Sequence, residues 1–241
     1  MKKLAKILAL VVFMSLTTAG ARQAHAVIMT TAQLSIDDGT TFVTIFDNGA
    51  GDSDSLVGFI NYSAPSGTFA NFVAAVSLGT TKPLIGSGDK PYLDLASVNV
   101  TSFGASADVL TIKFTDTDFT DLAPVVTGFK SEIGGVTDGT VTYATYFDNG
   151  NTAFGQATSL SDLGSFSGSA FSGSAYASLA SLSPTPAGPY SLTLVTTVSN
   201  NAGMGKITSY NASVSVPEPS TLLLLGSGML GFAFLRRRKK G

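Results

Sequence analysis

The stretch Val109-Leu110-Thr111-Ile112-Lys113-Phe114 alternates apolar and polar side chains. In an extended chain that period puts Leu110, Ile112 and Phe114 on one face, which belongs in a core, and Thr111 and Lys113 on the other. Outward from it in both directions, short runs rich in Thr, Val, Ile, Phe and Tyr recur between Gly, Asn, Asp and Pro, the usual punctuation of strands and turns. The runs predict strands over Ala32–Ile36, Thr41–Phe46, Val57–Tyr62, Phe72–Leu78, Leu93–Ser102, Val109–Thr115, Val125–Phe129, Thr140–Tyr146, Tyr190–Val198 and Ile207–Val216. No long window carries a helical stripe. The expectation is an all-β fold: a single antiparallel β-sandwich, jelly-roll-like, of about ten strands over residues 27–215.

Composition narrows the chemistry. The 241 residues include no cysteine, which excludes a disulfide framework, a thiolate metal site and a Cys nucleophile. Charge is segregated: Lys2, Lys3, Lys6 and Arg22 lie at the start and five cations at the end. The body between Val27 and Val216 holds five lysines against fourteen Asp and one Glu, a net charge of about -10. An acidic body without arginine repels phosphate backbones, so nucleic acid is not an expected partner.

The two ends read as processing signals. Residues 1–26 have a basic start, an apolar run from Ile7 to Leu16 and Ala24-His25-Ala26 as a small-x-small site. That order predicts a signal helix handled by the Sec machinery and cleaved after Ala26. An apolar run of ten residues is short beside the roughly twenty a membrane span needs. Residues 216–241 hold Val216-Pro217-Glu218-Pro219-Ser220-Thr221, then an apolar run from Leu222 to Leu235, then Arg236, Arg237, Arg238, Lys239 and Lys240. Prolines keep the first part extended, as a protease substrate must be. The apolar run predicts a short transmembrane-like hydrophobic helix, and the basic cluster is a stop held on the cytoplasmic side.

This tail resembles the PEP-CTERM sorting signal of Gram-negative bacteria. The resemblance rests on the order of Pro-Glu-Pro motif, leucine-rich run and basic cluster, about 25 residues in all. It implies that Pro217, Glu218 and Pro219 are the recognition motif for an exosortase. It further implies transient residence in the inner membrane, then delivery to the cell surface or an extracellular, biofilm-type matrix. Uncut, the same segment would be a plain membrane anchor.

Within the body, Thr44-Ile45-Phe46-Asp47-Asn48-Gly49 and Thr145-Tyr146-Phe147-Asp148-Asn149-Gly150 echo one another. Asn-Gly after a β-run signals a turn; the echo marks either two related sheets or, as the favoured reading, the same turn used twice by chance or convergence. Gly155 to Gly188 is dense in Ser, Gly and Ala, which reads as a surface loop leading into one strand, or as a weak strand pair burying Phe166 and Phe171.

Catalytic signatures are scarce. The only histidine, His25, lies in the signal, which removes Ser-His-Asp triads and histidine zinc sites from the mature chain. Glu132, the sole internal glutamate, reads as a solvated loop residue. Aspartates group at Asp37 and Asp38; at Asp47, Asp52 and Asp54; and at Asp116, Asp118 and Asp121. The glycine-bearing 47–54 segment has the composition to wrap calcium, although it matches no EF-hand. Tyr62, Tyr92 and Tyr143 are candidates for lining a shallow sugar site, against the alternative that they are core. Together these features predict an exported surface or exopolysaccharide-matrix protein with a structural or interaction role and no catalysis. The alternative is a calcium-dependent carbohydrate-binding module.

Overall fold

The computed structural model describes residues 31–104, 108–200 and 203–217; both terminal helices expected from the sequence lie outside the described residues. The described chain forms twelve strands: β1 (Gln33–Asp37), β2 (Phe42–Phe46), β3 (Phe59–Ser63), β4 (Phe72–Thr80), β5 (Tyr92–Ser102), β6 (Val109–Phe119), β7 (Gly128–Thr137), β8 (Gly139–Asp148), β9 (Thr158–Ser167), β10 (Phe171–Ser178), β11 (Tyr190–Asn200) and β12 (Lys206–Ser215). A single 3-10 turn, Leu179–Ser181, follows β10.

The strands make two six-stranded sheets, ordered β2-β1-β6-β11-β8-β9 and β10-β7-β12-β5-β4-β3. All pairings are antiparallel. The last eight strands nest: β5 pairs with β12, β6 with β11, β7 with β10 and β8 with β9. That is a long hairpin rolled into two sheets, the jelly-roll pattern. The hairpins β1-β2 and β3-β4 widen one sheet each.

The alternation in β6 works as read. Leu110, Ile112 and Phe114 are fully buried, and Ile112 and Phe114 sit opposite Ile36 and Leu34 of β1, which are buried too. The core between the sheets includes polar ties as well as apolar contacts. The Tyr143 hydroxyl on β8 crosses to donate to the carbonyl of Ser213 on β12 at 2.6 Å. The hydroxyls of Tyr210 and Thr196 meet across the same gap, and Ser131, Thr145 and Ser161 form a hydroxyl chain with both links at 2.8 Å. Buried hydroxyls partnered this way cost little and fix how the sheets align.

Three expectations are corrected. Among the described residues there are twelve strands, not about ten. The segment read as a loop contains β9 and β10, which pair not with each other but with β8 and β7 in opposite sheets. Phe166 and Phe171 stack across that open edge with centroids 5.3 Å apart, both half-buried. Finally, the seventh strand runs Gly128–Thr137 instead of Val125–Phe129, so Glu132 stands on a strand and pairs with Lys130 at 2.7 Å. The echoed turns also differ: Asn48 has φ of 57°, whereas in the second copy the left-handed residue is Asn151.

Candidate functional site: the end from which the tail leaves

β5 begins and β6, β8 and β12 end at the same pole of the sandwich. Its loops are tied together by backbone hydrogen bonds: Thr81 N–H to Gly58 O, Thr120 N–H to Gly88 O, and Ala123 N–H to Asp89 O, each at 2.9–3.0 Å. The first described residue, Thr31, is anchored here, and so is the exit of the chain, where Val216 donates its N–H to Pro91 O at 3.1 Å. Pro217, the first residue of Pro217-Glu218-Pro219, follows directly; Glu218 and Pro219, like Ala24, Ala26 and the cations Arg236 to Lys240, lie outside the described residues.

The pole is stiffened by a buried ion pair that sequence reading missed. Asp116, read as part of a soluble aspartate turn, is completely buried within β6. Its carboxylate accepts from the Lys82 ammonium at 2.8 Å, from the Thr81 hydroxyl at 2.8 Å, from Thr117 N–H at 2.8 Å and from the Thr31 hydroxyl. Lys82 also donates to the carbonyl of Thr117 and lies 4.3 Å above the ring of Phe119. Every acceptor site of the carboxylate is matched by a donor, the condition under which a buried charge is tolerated.

The aspartates weighed as calcium ligands turn to the backbone instead. Asp47 is buried and accepts from Gly58 N–H at 2.6 Å and from the Asn48 side chain at 2.8 Å. Burial raises its pKa; the Gly58 bond opposes that, while Asp52 and Asp116 add to it. Asp52 accepts from the N–H groups of Asn48, Asp54 and Asn61, and Asp54 from that of Leu56. Among the described residues no three acidic or histidine side chains are grouped to hold a metal ion. Gly58 is demanded at this spot: its φ is +83°, and a Cβ there would stand 2.5 Å from Lys82 O. Asp118 exchanges hydrogen bonds with Asn151, and Asp121 accepts from Gly188 N–H.

Beside the tail exit, the outer face of the second sheet carries a band of mixed polarity. Register places Tyr176 opposite Lys130, Lys130 opposite Ser215, and Ser215 opposite Tyr92. The next row holds Ser174, Glu132, Ser213 and Asp94. Tyr176 and Tyr92 are 51% and 36% exposed, at the two ends of a span of about 14 Å across four strands. Desolvation raises the pKa of Asp94, and desolvation with Asp94 and Glu132 nearby raises that of Tyr92. Of the three tyrosines weighed from sequence, Tyr62 and Tyr143 are core and only Tyr92 reaches this face. Tyr176 was hidden in the Ser/Gly-rich stretch.

At the opposite pole, a cleft of about 270 Å³ is lined by Asp37, Asp38, Thr40, Asn71, Asp108 and Thr111, among others. Desolvation would raise the pKa of Asp38, but bonds from Thr41 N–H, the Thr40 hydroxyl, Thr40 N–H and Ala70 N–H together outweigh it and hold the carboxyl at about 2. It serves as the cap of the β1-β2 turn.

The described residues thus form a β-sandwich whose twelfth strand leads directly into Val216 and Pro217. Residues 215–239 match the PEP-CTERM protein-sorting motif, and the chain carries that motif at its C-terminal end. The motif implies export and exosortase processing. No curated protein matches the chain. Among solved structures, the adhesin domain of Epf from Streptococcus pyogenes is 10% identical over 78% of this chain and 58% of its own, with a TM-score of 0.36. The family 11 carbohydrate-binding module of a Clostridium thermocellum cellulase is 9% identical over 70% and 94%, with a TM-score of 0.28. The enzymatically active domain of bacteriophage CBA120 tailspike protein 4 is 13% identical with a TM-score of 0.32; the match covers 61% of this chain but spans only 20% of that one. Among the described residues no helix is long and apolar enough to cross a membrane.

Proposed function

We propose that this chain is a non-catalytic protein of the cell surface or exopolysaccharide matrix, exported through the Sec machinery and released from the inner membrane by an exosortase acting at Pro217-Glu218-Pro219. The observation that supports the reading most is the abutment of the sorting motif on a closed sandwich: the match begins at residue 215, the last residue of β12. The tail is an appendage for handling, and the body is the cargo. That body contains neither cysteine nor, after His25, histidine, so it cannot assemble a Ser-His or Cys-His nucleophile pair.

The test is the intact mass of the protein from its native host, beside a variant with Pro217, Glu218 and Pro219 changed to alanine. Processing removes residues 1–26 and the residues beyond the motif from the wild type, and leaves the variant in the inner membrane with its tail. A wild-type mass that retains Leu222 to Gly241 would make the chain a membrane-anchored periplasmic protein and refute the proposal.

A second reading concerns what the cargo binds. The Tyr92–Tyr176 band offers two aromatic groups with carboxylates, an ammonium and serine hydroxyls between them, a set suited to a polysaccharide strand lying across the sheet. In this reading the matrix polysaccharide is the partner and calcium is not required.

A further inference from the structure

Each sheet ends in two border strands with a neighbour on one side only: β2 and β9 in the first, β3 and β10 in the second. A bare border pairs with other chains, and proteins blunt it with bulges, charges, proline or a cover. β3 slips register against β4 between Ile60 and Tyr62, and β9 slips against β8 in two places. β9 and β10 also meet through the stacked rings of Phe166 and Phe171. β2 has none of these guards. Its register with β1 runs unbroken from Phe42 to Phe46, and Phe42-Val43-Thr44-Ile45-Phe46 holds no charge, no proline and no glycine.

Two backbone bonds fix which way the groups of β2 point. Asp38 N–H donates to Thr41 O and Asp47 N–H to Ala32 O, so positions 41, 43, 45 and 47 face β1. Phe42, Thr44 and Phe46 therefore aim their N–H and C=O groups away from the sheet, into the open border. Among the described residues these groups make one bond, from Gly49 N–H to Phe46 O, and that carbonyl keeps a second lone pair. The side chains of the same three residues stand on the outer face, where Phe42 and Phe46 are 62% and 54% exposed. Both ends of the strand are pinned: Asp38 caps the turn before it, and Asp47 after it accepts from Gly58 N–H. A border held in shape beforehand loses little freedom on pairing.

The order of side chains says what fits there. β2 reads alike in both directions: aromatic, β-branched, threonine, β-branched, aromatic. When two copies meet antiparallel about an axis through Thr44, Thr44 lies opposite Thr44, and Phe42 of each copy lies opposite Phe46 of the other. All three pairs fall on positions whose backbone groups point outward, so each exchanges two N–H···O=C bonds, and the aromatic rings pair on one face. We propose that β2 is the interface between two copies of this chain, joined edge to edge so that their first sheets become one continuous sheet. The axis stands perpendicular to that sheet, so the second sheets of both copies lie on the same side of it. The acidic bodies repel, with Asp37 and Asp47 flanking the joint, and added salt therefore strengthens the contact.

The test is sedimentation velocity of the chain purified from its host in mild detergent, over about 1–200 μM. A joint of one strand pair is small, so the wild type should dimerise with a Kd on the order of 10 μM, and more tightly at high salt. Thr44→Pro removes an N–H that bonds nothing in the single chain, at a border position where proline is tolerated. It should raise the Kd beyond about 200 μM, a loss of roughly twentyfold or more, with an unchanged melting temperature. Phe42→Lys/Phe46→Lys and Phe42→Glu/Phe46→Glu alter only exposed side chains and should each be monomeric. Mixing those two should restore a dimer containing one of each, because every lysine then meets a glutamate across the axis. A wild type still monomeric at the highest concentration would overturn the proposal. So would a dimer that survives all three variants, which would place the contact on the tail or another surface, or a charge-swapped mixture that stays monomeric.

Discussion

Changing Asp116 to Asn probes whether the buried ion pair holds the exit pole. The side chain keeps its shape but loses its charge, and its amide replaces one acceptor oxygen with a donor. In the wild type the two oxygens face four donors: Lys82 Nζ, the Thr81 hydroxyl, Thr117 N–H and the Thr31 hydroxyl. Whichever way the amide is turned, an NH₂ group meets donors, and the ammonium of Lys82, with 18% of its side chain exposed, loses its counter-charge. Breaking a buried pair in this way costs about 3–5 kcal/mol. Because Lys82 is near enough to solvent to swing outward, the lower end is expected, about 3 kcal/mol. For a body of this size that lowers the melting temperature by roughly 6–12 °C. Calorimetry of the purified mature body measures it. The double variant Asp116→Asn/Lys82→Met should be less damaged than the two single changes combined, with a coupling of about 1–3 kcal/mol. A loss under about 1 kcal/mol for Asp116→Asn, or strict additivity in the cycle, would refute the claim that the pair is an interdependent unit.

Further outcomes are expected. Gly58→Ala forces a Cβ into Lys82 O at a positive φ, and should destabilise the body by about 2 kcal/mol or more in denaturant titration. Tyr143→Phe removes the bond to Ser213 that crosses the sheets and should cost about 1 kcal/mol. Asp38 has a folded pKa of about 2, below its ordinary 3.8, so its contribution is complete above about pH 4 and is lost as pH falls through 2; the stability gap between wild type and Asp38→Asn should therefore close on acidification. Tyr92→Ala/Tyr176→Ala, both on an exposed face, should abolish retention on host exopolysaccharide in affinity electrophoresis without lowering the melting temperature, and calcium should change neither result.

How much of this was legible in the sequence depends on what holds each strand in place. β6 and β11 advertise themselves because they are central, and most of their inward residues are apolar. β9 and β10 do not, because they are edge strands at the open side of the roll. Their outward positions are mostly Ser, with Asp162 and Tyr176 among them, and their extended form comes from pairing with β8 and β7, contacts invisible to a local window. β7 is disguised by Gly134 and Gly135; a Cβ at the latter would fall 2.2 Å from Ser209 O, so the close approach of β12 dictates the residue. Asp116 shows the same limit at the site. Asp116-Thr117-Asp118 reads as a polar turn, yet the strand runs through it, because Lys82, 34 residues earlier, arrives to neutralise the charge. The sorting motif was fully legible, since it works as a linear peptide.

The central position of β12 has a mechanical consequence. On the sorting reading proposed above the tail tethers the body to a membrane, and drag on the body would then be transmitted through Pro217 along the axis of this strand. Its hydrogen bonds to β5 and β7 lie across that axis, so they are loaded together in shear and not opened one after another as at a sheet edge. A tether at Pro217 would thus be attached at a place suited to withstand tension.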